Sequence, residues 1–220
     1  RQIAILLSVA GICLYAVLAR LDAPIVRASI MGILVFTGQL LGRQSLAAYG
    51  LFLSGFAMLF FSPSLILDVG FQLSFLATFG LLYIRPILEQ GKNVKSLLEK
   101  SIIGEGVVTT IAAQSTTLPI LVGSFGTYSL WSIVVNGLVL WTIPTLMVVG
   151  GVAALFGIII PELGRLILYV SLPFLLYFEK VIMFFGKAGG AVALEELPWQ
   201  LIVGYYFLLG AFILYFGRKK

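Results

Sequence analysis

Residues 68–80 read DVGFQLSFLATFG, placing an aspartate, a glutamine, a serine, a threonine and two glycines between long apolar runs. At about 100° per residue, Gly70, Ser74, Ala77 and Thr78 gather on one side of a helix, and Asp68, Gln72 and Phe79 on another. A face of small residues lets two helices approach closely in lipid, where apolar side chains alone give no driving force. Gly70 and Ala77 are therefore expected to pack. Asp68 stands where an N-cap would, able to accept from the amide of Gly70 or Phe71 for about 1 kcal/mol. Gln72 lies one turn further in, beyond the reach of capping. An unpaired amide in hydrocarbon costs several kcal/mol, so Gln72 is expected to face another polar helix or a wet cavity.

Outward from this stretch the chain stays apolar. Of its 220 residues, 60% are hydrophobic and 10% charged, against roughly a quarter charged in an ordinary globular chain. Mean hydropathy is +1.11. Apolar runs recur between short polar or Pro/Gly clusters, the pattern of an all-α, polytopic transmembrane helix bundle. About eight membrane segments are expected, at residues 2–19, 25–42, 46–61, 69–85, 102–122, 131–156, 164–186 and 199–217. Re-entrant or interfacial segments are expected, if anywhere, at 62–69 and 163–187. The first run has no small-residue cleavage site leading to a soluble chain, so it reads as a span and not a signal peptide.

If the spans alternate, one side collects Arg1, Arg43, Arg85, Lys92, Lys95, Lys100, Arg165, Arg218, Lys219 and Lys220, and the other only Arg20, Arg27 and Lys187. The positive-inside rule then expects both termini in the cytoplasm. A chain that begins on Arg1 and ends on Arg218-Lys219-Lys220 reads as one transmembrane domain, residues 1–220, cut from a longer protein. There is no histidine, and the single cysteine, Cys13, falls inside an apolar run as a small filler. Disulfide scaffolds, zinc sites built on His or Cys, and histidine acid–base catalysis are thereby excluded.

Three further groups of polar residues sit inside the runs. Thr110, Gln114 and Thr117 make a neutral stripe on one helix face beside Gly106 and Ala113, and Pro119 removes the N–H that would serve the carbonyl of Ser115, kinking or ending the helix. Asn136 is isolated in WSIVVNGLVLW and needs a partner in the bundle. Arg27 and Arg43 stand near opposite ends of the second span, suited to phosphate or lipid headgroups, with lipid favoured for each taken singly. The pair Glu179-Lys180 is expected beyond a span that ends near Phe178, in the interface. Residues 92–100 have helical spacing, with Lys95 and Glu99 four apart.

Four stretches taken together, APIVRASIM with LLGR downstream, FSPSLILDVGFQLSFLATFGL, AAQSTTLP and FGTYSLWSIVVN, resemble the competence membrane domain of the ComEC family of DNA-internalisation proteins. The match covers roughly residues 20 to 140, and GFQLSF is its most specific part. The resemblance implies a channel domain in the bacterial cytoplasmic membrane that passes single-stranded DNA during natural transformation. It also implies an OB-fold region and a metallo-β-lactamase-like nuclease domain elsewhere in the protein, neither within these 220 residues. A nuclease domain following Lys220 would lie outside, against the orientation given by the charge count.

A strand of any sequence has to be released quickly, so neutral donors suit the lumen better than fixed charge. The pathway candidates are Arg27, Arg43, Gln72, Ser74, Thr110, Gln114, Thr117 and Asn136, with the spans of Gln72 and Gln114 facing each other across the route. Catalytic residues, metal ligands and cofactors are not expected. The expected partners are single-stranded DNA, membrane lipids, the DNA receptor and an ATP-driven cytoplasmic motor, since the chain has no Gly-rich phosphate loop with its lysine. Self-association into a homo-oligomer stays open. The alternatives are a secondary transporter of a smaller anionic or lipid-linked substrate and a non-conducting scaffold.

Overall fold

A computed structural model of the chain describes residues 2–40, 47–90, 102–187, 189–193 and 198–217. The helices are α1 Gln2–Leu18, α2 Ala23–Leu40, α3 Ala47–Phe61, α4 Val69–Tyr83, α5 Arg85–Glu89, α6 Ile102–Phe125, α7 Ser132–Val139, α8 Thr142–Ile159, α9 Pro161–Lys187 and α10 Trp199–Gly217. A 3-10 turn, Pro63–Leu67, precedes α4, and two three-residue strands, β1 Thr127–Ser129 and β2 Ala191–Ala193, pair antiparallel with Tyr128 opposite Val192.

Among the described residues, Val69–Glu89, Gly104–Phe125, Thr142–Ile159, Pro161–Lys187 and Trp199–Gly217 are long and apolar enough to cross a membrane, and Ile3–Leu18, Ala23–Gln39 and Ala47–Phe61 are shorter apolar helices. Buried hydroxyls stand beside a small apolar core that includes Leu51, and large apolar side chains lie on the outside. Thr116, Thr142 and Ser54 are fully buried at 0% exposure, while Phe61 and Ile158 are 84% and 83% exposed. Hydroxyls inside and large apolar groups outside is the arrangement that a lipid surround favours.

The chain divides into two units, residues 1–87, 112–124 and 196–220, and residues 88–111 and 125–195. In the first, α1 turns into α2 through Arg20 and Leu21, whose φ values of 60° and 56° are left-handed. That conformation costs about 1–2 kcal/mol for a residue with a Cβ. In return the amide of Leu21 reaches the carbonyl of Ala16 at 3.0 Å and closes the end of α1. Helix α3 approaches α4 at Gly55, where a Cβ would lie 2.9 Å from the Phe75 ring. Phe52 meets the same ring edge-on at 5.9 Å between centroids.

Helix α4 meets α6 most closely at Gly80. A Cβ there would overlap the carbonyl oxygen of Ala112 and stand 2.7 Å from Thr116 Oγ1, so only glycine permits the approach. Thr116 Oγ1 lies 2.7 Å from the carbonyl oxygen of Leu76 and 2.8 Å from that of Ala113, placing its hydroxyl to donate from α6 into the backbone of α4.

Pro119 does not end α6, which runs on to Phe125. The tyrosines of α10 serve the carbonyls at this point. Tyr205 donates to the carbonyl of Ser115 at 2.6 Å, the oxygen that Pro119 leaves without an amide, and Tyr206 donates to the carbonyl of Thr116 at 2.9 Å. Neighbouring side chains thus satisfy the backbone that a proline frees inside a membrane helix.

In the second unit the run expected as one span at 131–156 is two helices, α7 and α8. Pro144 explains the break, because it cannot donate to the carbonyl of Leu140 four residues back. The amide of Ile143 takes that oxygen instead, at 3.2 Å. Two more carbonyls at the end of α7 find side chains: Thr142 Oγ1 donates to Val139 at 2.7 Å and Tyr177 donates to Leu138 at 3.0 Å. Helices α8 and α9 fold back on each other about Ile160, and a Cβ on Gly164 would lie 2.6 Å from the Cα of Gly157. Helix α9 passes without interruption through Pro173 and through Glu179-Lys180 to Lys187. The helix therefore does not stop near Phe178.

Candidate functional site

The polar centre of the first unit is built on Arg27, in the second turn of α2. Pro24 sits in the first turn of that helix, where a missing N–H disturbs no intrahelical bond. Four residues apart on α4, Ser74 and Thr78 present their hydroxyls to the guanidinium. Arg27 Nε donates to Ser74 Oγ at 3.0 Å, and Nη1 to Thr78 Oγ1 at 2.5 Å and to Met31 Sδ at 3.8 Å. Thr78 Oγ1 in turn donates to the carbonyl of Ser74 at 3.1 Å.

Arg27 is 8% exposed, and its polar partners among the described residues are all neutral. Burying a cation is expensive without an opposite charge, about 2.5–3.5 kcal/mol at the centre of a membrane helix on insertion scales. A guanidinium held in shape by hydroxyls, with no opposite charge among its described partners, is suited to an anion.

The structure brings together two of the pathway candidates, Arg27 and Ser74, and adds Thr78, which the sequence places only on a packing face. Asp68 caps α4, its Oδ1 accepting from the amide of Phe71 at 2.6 Å. Gly70 lies against α2, since a Cβ on it would stand 3.7 Å from Pro24 Cδ. Ala77 is half-buried.

Gln72 departs from its expected surroundings. Its Nε2 donates to the carbonyl of Ile66 at 2.7 Å, an oxygen left over at the end of the 3-10 turn. A local cap thus accounts for this amide after all, through a side chain long enough to reach back six residues.

Thr110 and Thr117 are buried, and their hydroxyls return to their own helix, to the carbonyls of Gly106 at 2.8 Å and Ala113 at 3.0 Å. Gln114 is half-buried and lies two residues from both Ala112 and Thr116, on the side of α6 turned away from its contact with α4. The glutamine-bearing helices α4 and α6 are thus in direct contact, with no route between them at Gly80. Asn136, in the second unit, borders a separate cavity of about 310 Å³ with Ser129, Trp131 and Ser132. Arg43 and residues 92–100 lie outside the described residues.

Sequence reasoning missed Thr116, Tyr177, Tyr205 and Tyr206, each of which serves a backbone carbonyl on another helix. A signal for the last two was present: Pro119 orphans a carbonyl in mid-span, and Tyr205-Tyr206 is a pair of hydroxyl donors in the last apolar run. Among the described residues, no three His, Cys, Asp or Glu side chains gather into a group that could hold a metal ion.

Apolar helices with their hydroxyls turned inward, around one desolvated arginine, define a polytopic α-helical membrane protein. The chain belongs to the competence protein family, whose sequence profile, described as Competence protein, matches residues 1–219. The likeness therefore extends well beyond residues 20 to 140. The chain is also similar to ComE operon protein 3 of Bacillus subtilis (strain 168), 29% identical over 123 residues, which are 56% of this chain and 15% of that protein. It spans a minor part of the length of this relative. No solved structure matches it.

Proposed function

We propose that this chain is the membrane-embedded part of a DNA-internalisation protein and conducts single-stranded DNA across the bacterial cytoplasmic membrane. The observation that carries this reading is the competence family match over residues 1–219. The chemistry agrees with it. Inside the apolar helices the polar groups are almost all neutral and locally hydrogen-bonded, so a polyanion meets no row of fixed charge that would hold it.

Of the expected route residues, Gln114 and Asn136 are assigned to the route by their position alone. Both amides are half-buried, Gln114 on the side of α6 away from α4 and Asn136 beside a cavity of its own unit. Gln72 serves the 3-10 turn, and Thr110 and Thr117 serve their own helix. The energy comes from a separate motor, and strand cleavage from another domain or protein.

Fluorescent DNA uptake in a transformable cell carrying the full-length protein tests the reading. Gln114→Leu and Asn136→Leu are each expected to lower labelled DNA in the cytoplasm about tenfold or more, a barrier increase of about 1.4 kcal/mol. Surface-bound DNA and the amount of protein in the membrane should stay unchanged. Wild-type cytoplasmic signal in both variants overturns the assignment of these residues. Wild-type signal in a strain lacking the protein overturns the function itself.

A further inference from the structure

A cavity of about 710 Å³ opens between α1, α2 and α4 in the first unit, and Arg27 is the one charged residue bordering it among those described. Nε and Nη1 are engaged by Ser74, Thr78 and Met31, but Nη2, with two N–H donors, has no protein partner among the described residues. No buried side-chain nitrogen among the described residues lacks a partner, so Nη2 is not sealed off, on a residue that borders the cavity. Ser74 also borders the cavity. Its oxygen accepts from Arg27, which leaves its own O–H to give. Two kinds of donor and a single positive charge therefore meet at one place, a match for a monoanion. A dianion would leave one charge uncompensated against apolar walls.

The rest of the cavity is of another kind. It follows α2 from Pro24 to Phe36, about 18 Å at 1.5 Å per residue, along Gly11 and Ile12 of α1. One leaflet of a core of ~30 Å is ~15 Å deep. Arg27 sits about 6 Å from the start of α2, near one end of this depth. A nucleic-acid strand repeats a charge at every nucleotide, whereas the cavity offers one cation and then a mainly apolar wall, interrupted only by the neutral hydroxyls of Ser8, Tyr15 and Ser29 among the described residues. We infer that the cavity holds one anionic phospholipid, its phosphodiester on Arg27 Nη2 and Ser74, and an acyl chain along Gly11, Ile12 and Phe36. This goes beyond the transport reading and does not depend on it.

Native mass spectrometry of the full chain in mild detergent, titrated with phosphatidylglycerol, tests the assignment. The wild type is expected to bind one molecule with at least about tenfold preference over diacylglycerol of the same chains, the size of a hydrogen bond to a charged group. Arg27→Gln should lower the affinity for phosphatidylglycerol about tenfold and leave that for diacylglycerol unchanged. A Cβ on Gly11 meets nothing within 4 Å, so Gly11→Leu fills the apolar end and should weaken both lipids. Equal wild-type affinities for the two lipids overturn the assignment, and this comparison needs no variant to fold. Full phosphatidylglycerol affinity in Arg27→Gln overturns it as well, and full affinity for both lipids in Gly11→Leu overturns the placement of the chain. Displacement of phosphatidylglycerol from the wild type by a short single-stranded oligonucleotide assigns Arg27 to the strand and ends the lipid reading.

Discussion

Replacing Tyr205 by Phe removes one oxygen and leaves the apolar ring in place. In the wild type that oxygen donates to the carbonyl of Ser115 at 2.6 Å, and no helix amide is there to take over, because residue 119 is proline. Leaving a buried acceptor unserved costs about 1–3 kcal/mol in general. Interhelical bonds in membranes average about 0.6 kcal/mol, because a broken bond usually finds another partner. Here Pro119 takes away the usual substitute, so a loss of about 1–1.5 kcal/mol is expected, above that average.

The decisive comparison is made in a Pro119→Ala background, where position 119 regains an N–H facing the carbonyl of Ser115. The same Tyr205→Phe change should then cost about 0.3 kcal/mol, a coupling of about 1 kcal/mol in the double-mutant cycle. Tyr206→Phe supplies an internal control, since the carbonyl it serves still has the amide of Ile120 four residues on, and its cost should depend little on residue 119. Equilibrium unfolding in mixed micelles with increasing dodecyl sulfate reads all of these. An equal cost of Tyr205→Phe in both backgrounds would refute the argument that α10 repairs the proline in α6.

Three other outcomes follow from the packing and the caps. Gly80→Ala drives a methyl group into the backbone of α6 and should cost about 1–3 kcal/mol, measured in the same unfolding assay, whereas Gly11→Ala should change stability by less than about 0.5 kcal/mol. Asp68→Ala removes the cap of α4 and should cost about 1 kcal/mol, with Asp68→Asn retaining most of it. Gln72→Leu strips the carbonyl of Ile66 of its donor in an exposed hydrogen bond and should cost about 0.5–1.5 kcal/mol, while DNA uptake per folded chain stays at the wild-type level. A fall in uptake without a fall in stability would return this amide to the strand.

The membrane class and most of the helices were legible because apolar run length and helical period are properties of the chain alone. The cap at Asp68 was legible for the same reason: it is settled within four residues. What local reasoning could not supply was the destination of long or mid-helix polar groups. The sequence points Gln72 to a distant partner because the 3-10 turn at Pro63–Leu67, and hence the spare carbonyl of Ile66, does not show in a hydropathy pattern. Pro119 and Pro144 have the same local chemistry, yet α6 continues through the first while α7 and α8 part just before the second. At the first, the freed carbonyl of Ser115 is served by Tyr205 of α10, 90 residues away, a partner that no local pattern shows. Arg27 stood out by its charge, but the pairing with Ser74 and Thr78 needed the helix-to-helix register.

The hydroxyl of Thr116 has a mechanical meaning beyond its hydrogen bonds. Because it lies within reach of carbonyls on both α6 and α4, and because Gly80 fits only against Ala112, the two helices have a single register. A slide of one turn, about 5.4 Å, would strand the hydroxyl and press a side chain onto backbone at once. Sliding α4 against residues 112–124 of α6 is therefore costly at this crossing. A motion within the first unit that keeps this crossing intact leaves the other helices as the parts free to shift.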